Sequence, residues 1–214
     1  MRPVQLTLSP ANVDADGICA SQTPGGAGNL LINGALATGG VATLASAGQE
    51  RQVLFTFAAD ETGKIFTLTG TNDFGGVISE TVAGGVGTAV STKYYLTVTS
   101  IAINAASVGA LTVGTNGVAS TQPCILDYRL NPFTVGLMVS VSGTINYTVQ
   151  YCLTNLFESA AAYSSAVWFP HSVLATQTGD KDSNIASPVF AVRLKTNSYT
   201  NGATATMAIL QGGW

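Results

Sequence analysis

A chain of 214 residues with 46% hydrophobic residues has enough material for one large core or two small ones, yet only 9% of it is charged, well under the ~25% of ordinary soluble domains. A formal net charge of −3, with eight Lys and Arg scattered singly from Arg2 to Lys195, excludes a groove that grips nucleic-acid phosphates. Three cysteines without C-x-x-C spacing (Cys19, Cys124, Cys152) and a single histidine exclude an ordinary structural zinc site and point to free thiols in a reducing compartment.

No apolar run reaches the length of a signal peptide or a membrane span, so a soluble protein made and assembled in a cytoplasm is expected. Residues 1–45 are rich in Gly, Ala, Ser and Asn, with turn clusters at Thr23-Pro24-Gly25-Gly26 and Thr38-Gly39-Gly40. Short strands are expected at Val4 to Leu8 and Leu30 to Asn33. The segment reads as an extended N-terminal arm that orders against another subunit, or as a set of early strands.

From Arg51 the pattern sharpens. Val53, Phe55 and Phe57 alternate with Leu54, Thr56 and Ala58, and Ile65 to Thr69 returns after a turn at Asp60 to Gly63. Apolar residues on both faces predict central strands of a sandwich. Further strands are expected at Val77 to Val82, Lys93 to Thr99 and Ala110 to Val113. In the second half, Phe133, Val135, Leu137, Val139 and Val141 precede the turn Ser142-Gly143-Thr144. After it Ile145, Tyr147, Val149, Tyr151 and Leu153 alternate with Asn146, Thr148, Gln150, Cys152 and Thr154, so the spacing predicts a β-hairpin.

Strands at Ser187 to Lys195 and Ala203 to Gln211 follow, with one short helix expected within Asn155 to Tyr163. The order hairpin, loop, strand, turn, strand occurs in both halves. The predicted fold is therefore all-β, with two tandem antiparallel β-sandwich domains of jelly-roll or Ig-like type at residues 46–121 and 122–214, after the arm of residues 1–45.

Little in the chain points to chemistry. His171, in Val167-Trp168-Phe169-Pro170-His171, is the one histidine available as a general base, but no nucleophile elbow or orienting carboxylate accompanies it, so no enzyme and no cofactor are expected. Asp180-Lys181-Asp182-Ser183-Asn184 begins like a calcium loop but lacks the glycine at its sixth position and the glutamate at its twelfth, and reads as a solvated turn. Asp14-Ala15-Asp16-Gly17 is turn chemistry, and Gly84-Gly85-Val86-Gly87-Thr88 lacks the lysine of a phosphate loop and reads as a flexible connection. No metal site is expected.

The residues singled out as interface candidates are the aromatics Trp168, Phe169 and Trp214, which suit docking into a neighbour's pocket, and the charge-free strand face of Asn146, Thr148 and Gln150. An aromatic loop of this kind also admits a carbohydrate- or receptor-binding module in which Trp168, Phe169 and Tyr163 stack on sugar.

Val149-Gln150-Tyr151, Ala166-Val167-Trp168-Phe169, the run Ser187 to Leu194 and Ile209-Leu210-Gln211 resemble segments of small β-sandwich virion proteins of tailed bacteriophages, over about residues 45–214. The resemblance implies a capsid decoration or cement protein on the outer capsid surface. Its partners would be the major capsid protein and copies of itself, as a dimer or trimer, with neither nucleic acid nor membrane as a partner. A tail or neck component is the alternative within that class. No functional residues are carried over.

Overall fold

Period-two alternation of apolar and small polar residues marks the longer segments, and in the computed structural model, which describes residues 3–45 and 49–212, strands are the dominant regular structure. In chain order the first are β1 (Val4–Leu8), β2 (Cys19–Gln22), β3 (Gly28–Asn29), β4 (Ala37–Thr38), β5 (Val41–Thr43) and β6 (Gln49–Phe57). Then come β7 (Ile65–Thr71), β8 (Val77–Ala83), β9 (Thr88–Val90), β10 (Thr97–Ile103), β11 (Leu111–Thr121) and β12 (Cys124–Ile125). The rest are β13 (Thr134–Ser142), β14 (Ile145–Cys152), β15 (Phe169–Pro170), β16 (Lys181–Ile185), β17 (Ala191–Tyr199) and β18 (Thr204–Gly212). A helix of six residues, α1 (Ala160–Ser165), follows β14, and the Ser159 side chain caps it by accepting from the Ala162 N–H at 3.0 Å. The fold is all-β, with antiparallel sheets.

The chain forms two compact units, Val13–Asn116 and Met1–Asn12 with Gly117–Trp214. These boundaries differ from 1–45, 46–121 and 122–214. Val4, Leu6 and Leu8 lie on the inward side of β1, which pairs along β18 from Val4↔Ile209 to Leu8↔Ala205, so the first strand belongs with the last. Ile18, Cys19, Leu30, Ala42 and Leu44 are buried in the core of the Val13–Asn116 unit, so this stretch is integral sandwich and not an arm. Strand at Leu30 to Asn33 is absent. Gly28–Asn29 pairs with β10 instead, and Leu30 enters the core.

In the Val13–Asn116 unit, a six-stranded sheet, β4-β5-β10-β7-β8 with β3 also on β10, faces a layer that contains β2, β6, β9 and the first part of β11. Phe55 and Phe57 of β6 meet Phe66 of β7 with ring centroids 5.1 and 5.4 Å apart, at the centre of a core shared with Leu68, Val98 and Ile101. Glu61 is fully buried at the β6–β7 connection, and its Oε1 accepts from the N–H groups of Val108 and Gly109 at 2.8 and 2.9 Å.

The other unit has a four-stranded sheet, β1-β18-β13-β16, opposite a layer of β15, β14 and β17 joined by β12 and the end of β11. Val135, Leu137 and Val139 of β13 and Ala205, Met207 and Ile209 of β18 pack against Ile145, Tyr147, Val149 and Leu194.

The predicted hairpin is not one. β13 pairs with β18 and β16, whereas β14 pairs with β17 and β15, so Ser142-Gly143-Thr144 is an arch that carries the chain from one sheet to the facing sheet. A hairpin and an arch share the same alternation; here the two apolar faces are opposed across the core instead of lying side by side. Gly143 has φ +76°, and a Cβ there would lie 3.1 Å from Ala203, so glycine suits the bend on both counts. β6 and β7 repeat the device, with β6 beside β9 and β7 between β10 and β8. The recurring element in the two halves is thus the arch.

The strand expected at Lys93 to Thr99 starts at Thr97, and that expected at Ser187 to Lys195 starts at Ala191. The Asp180 segment is neither calcium loop nor turn. Lys181–Ile185 is an edge strand on β13, and Asp180 Oδ1 accepts from the Val141 N–H at 2.8 Å.

Candidate interaction surfaces

The charge-free face of β14 is already occupied from within its own unit. Asn197 donates through Nδ2 to Asn146 Oδ1 at 2.7 Å and to Thr148 Oγ1 at 2.9 Å, and the Thr176 N–H also donates to Thr148 Oγ1 at 3.0 Å. Gln150 Oε1 accepts from Arg193 Nε at 3.0 Å, and the Arg193 guanidinium lies 4.2 Å from the centroid of the Trp168 ring. Thr148 and Arg193 are only 6% and 7% exposed. The segment after β14 folds back to form a small apolar cluster in which Leu156, Tyr163, Ala166 and Trp168 pack on Cys152 and Ala191. Thr148 is thus buried, and half-buried Asn146 and Gln150 are each hydrogen-bonded to β17.

Trp168 and Phe169 are neighbours in sequence but not partners. Trp168 packs on Arg193 and the small cluster, whereas Phe169 stacks on Tyr151 at 5.8 Å from the β14 edge. Tyr163 lies in the same small cluster as Trp168. Trp214 lies outside the described residues. His171 holds its loop: Nδ1 accepts from the Val173 and Leu174 N–H groups at 3.2 and 3.3 Å, which places the ring proton on Nε2, 3.1 Å from the Asn184 carbonyl.

The three cysteines are free and buried, and loss of solvation pushes Cys19 up to about 12 and Cys152 to about 11, with Cys124 also raised. Asp14-Ala15-Asp16-Gly17 is packed against β11, where a Cβ on Gly114 would lie 2.0 Å from the Asp14 carbonyl oxygen, so this turn is a backbone contact. Among the described residues no group of three or more His, Cys, Asp or Glu side chains is placed to hold a metal.

Two surfaces escaped the sequence reading. One is a cleft of about 280 Å³ lined by Tyr128, Leu153, Asn155, Pro188, Val189 and Phe190. Tyr128 lies 5.9 Å from Phe190, Phe157 meets the same ring edge-on at 6.2 Å, and Arg129 sits 5.6 Å over Tyr128. Leu153 and Phe157 are more than 60% exposed beside it.

The second is the pair of outer sheet faces. On the six-stranded sheet, the residues that alternate outward form ranks across the strands. Thr43, Thr97, Thr71 and Val77 make one; Ser100, Thr69 and Ser79 the next; Ala102, Thr67 and Thr81 a third; and Ile65 and Ala83 the last. Thr71 and Thr97 hydroxyls are 2.6 Å apart, and those of Thr69 and Ser79 3.1 Å. Among the described residues this face carries no charge. Glu80 points to the opposite side of β8, where it accepts from the Thr92 and Lys93 N–H groups, and Lys93 Nζ bonds the Ser79 carbonyl at the rim.

The outer face of β1-β18-β13-β16 is similar: Gln5, Ala208, Met138 and Asp182 form one rank and Thr7, Thr206 and Ser140 another, with the exposed Asp180 at its edge just before β16. The signal for both faces was the Thr, Ser and Ala set that alternates with Phe66, Leu68, Val139 and Met207.

The fold and these surfaces define an antiparallel β-sandwich protein with one sheet face that carries no charge among the described residues and a second that is nearly uncharged. No protein-family model matches the sequence, and no curated protein matches it. Its weak structural neighbours include the N-terminal CBM22-1-CBM22-2 tandem domain of Paenibacillus barcinonensis Xyn10C, at 8% identity, TM-score 0.26 and 97% and 99% coverage of this chain and that one. They also include viral capsid proteins. The major capsid protein P2 from bacteriophage PM2 is 9% identical with a TM-score of 0.22, over 99% of this chain and 98% of that one. Infectious bursal disease virus, Gt strain, gives 11% identity and a TM-score of 0.22 over 97% and 71%. Likeness at this level does not carry a function from those proteins to this chain.

Proposed function

We propose that this chain is a non-catalytic structural protein of a virus particle, a capsid decoration or cement protein that packs neutral sheet faces against neighbouring subunits on the outer capsid surface. The observation that carries this reading is the near absence of charge on one outer sheet face of each sandwich. Covering an ionised group without a partner costs several kcal/mol, whereas a face of hydroxyl and methyl groups is covered with little desolvation penalty. Repetition of a modest contact over a lattice then supplies strength through avidity.

Quantitative mass spectrometry and electron microscopy of purified particles test the proposal. Copies in proportion to the capsid subunits support a cement; a single ring at one vertex supports a tail or neck component, and absence from particles rejects a virion role.

The aromatic cleft favours a second reading, a carbohydrate- or receptor-binding module, because Tyr128, Phe157 and Phe190 present ring surface next to the Asn155 amide. Glycan-array binding that is lost in Tyr128→Ala and Phe157→Ala supports it; no binding by the wild type rejects it.

A further inference from the structure

We propose that the threonine-rich outer face of the β4-β5-β10-β7-β8 sheet docks on the same face of a second copy of the chain, to form a two-fold dimer. The proposal gives one of the neutral faces just described its partner.

Charge is the first argument. An ordinary protein surface pressed onto this face would bury its own ions against hydroxyl and methyl groups that cannot neutralise them, which disfavours foreign partners. A second copy brings no ions to the ranks themselves, with Lys93 held at the rim. Every Thr and Ser hydroxyl both donates and accepts, so a hydroxyl array is complementary to its own two-fold image, as an isologous interface requires.

Size is the second. Strands β10, β7 and β8, with seven residues each, and the three residues of β5, at ~4.8 Å spacing and ~3.3 Å per residue, offer a face of about 380 Å² in projection. Two copies thus cover about 760 Å² before side-chain relief is counted, which brings the pair to about 1,000 Å², the small end of specific interfaces. Apolar contact comes from the corners, where Ile65 is 46% and Val77 69% exposed. Thr67 lies near the centre, between Ala102 and Thr81.

Sedimentation velocity on the isolated full chain over a micromolar concentration series tests this. The wild type is expected to sediment as a dimer. Thr67→Lys sets two unpaired ammonium groups into the centre of the pair and should raise the dissociation constant by about 100-fold or more. Thr81→Lys on the neighbouring strand repeats the test should Thr67→Lys fold poorly, with circular dichroism melts as the check. Val108→Lys, at an exposed loop position of the same unit, should leave the dimer intact. A wild type that stays monomeric throughout overturns the proposal, and so does a dimer that survives both Thr67→Lys and Thr81→Lys. The assay uses no particle, so a dimer broken by these variants stands even where the copy number on virions rejects a cement role.

Discussion

Removal of the Thr148 hydroxyl decides whether the charge-free face of β14 is interior or interface. In Thr148→Val the shape of the side chain is kept while one acceptor is lost. Asn197 Nδ2 retains Asn146 Oδ1 at 2.7 Å, but the Thr176 N–H has given its bond to Thr148 Oγ1 and is left without that acceptor. Because the Thr176 N–H is only part-buried and can turn to water, its lost bond costs about 0.5–1.5 kcal/mol, and the weakened Asn197 contact adds about 0.5–1 kcal/mol, so a loss of about 1–2.5 kcal/mol is expected. Urea unfolding should show the midpoint falling at unchanged slope, because the surface exposed on unfolding is the same. Particle binding, measured on folded variant below the transition, should be unaltered. A Thr148→Val protein as stable as wild type but impaired in binding would refute the assignment of this face to the interior.

Glu61→Ala strips the part-buried N–H groups of Val108 and Gly109 of their acceptor and should cost about 1–3 kcal/mol in denaturant titration, whereas Glu61→Gln keeps an oxygen there and should retain most of the stability. Gly143→Ala should destabilise by about 1–2 kcal/mol in thermal melts, since alanine resists the positive φ of the arch and its methyl meets Ala203. The buried thiols should resist a disulfide reagent at pH 8 until the protein unfolds, because the thiolate is the reactive form and burial holds Cys19 and Cys152 at about 12 and 11 against an ordinary 9.0. For stability the sign follows from the raised folded value. Their contribution is fully present below about pH 9, where the unfolded thiols begin to ionise, and is lost as pH rises toward the folded values near 11 and 12, so the urea midpoint should fall across that window.

Much of the strand inventory was legible because period two is a local signal: Val4 to Leu8 matches β1 residue for residue, and β8 and β18 fall within a residue of expectation. The partners of those strands were not legible. Val4 pairs with Ile209, and nothing near Val4 announces it. The alternation around Gly143 is the same whether the next strand returns beside its predecessor or crosses the core, so the arch read as a hairpin. The polar face of β14 was correctly seen as lacking charge, but the Asn197 and Arg193 that satisfy it are contributed by β17 and its cover by the segment after Leu153, contacts that only the tertiary structure brings about. In β7, Thr67 and Thr69 stood in view beside Phe66 and Leu68, yet their value as a surface depends on Thr97, Thr81 and Ser79 lining up in neighbouring strands.

The pairing of β1 with β18 also orders events during synthesis. All strands of the Val13–Asn116 unit have been made before β13 emerges, so that unit can close as an insert while β1 stands ready without its neighbour. The sheet edge that β1 completes forms only when Thr204–Gly212 arrives, which makes the first strand laid down among the last to be paired. Until then Val4, Leu6 and Leu8 form an apolar strand edge in search of a partner, the stage at which exchange of β1 between two nascent chains competes with correct closure.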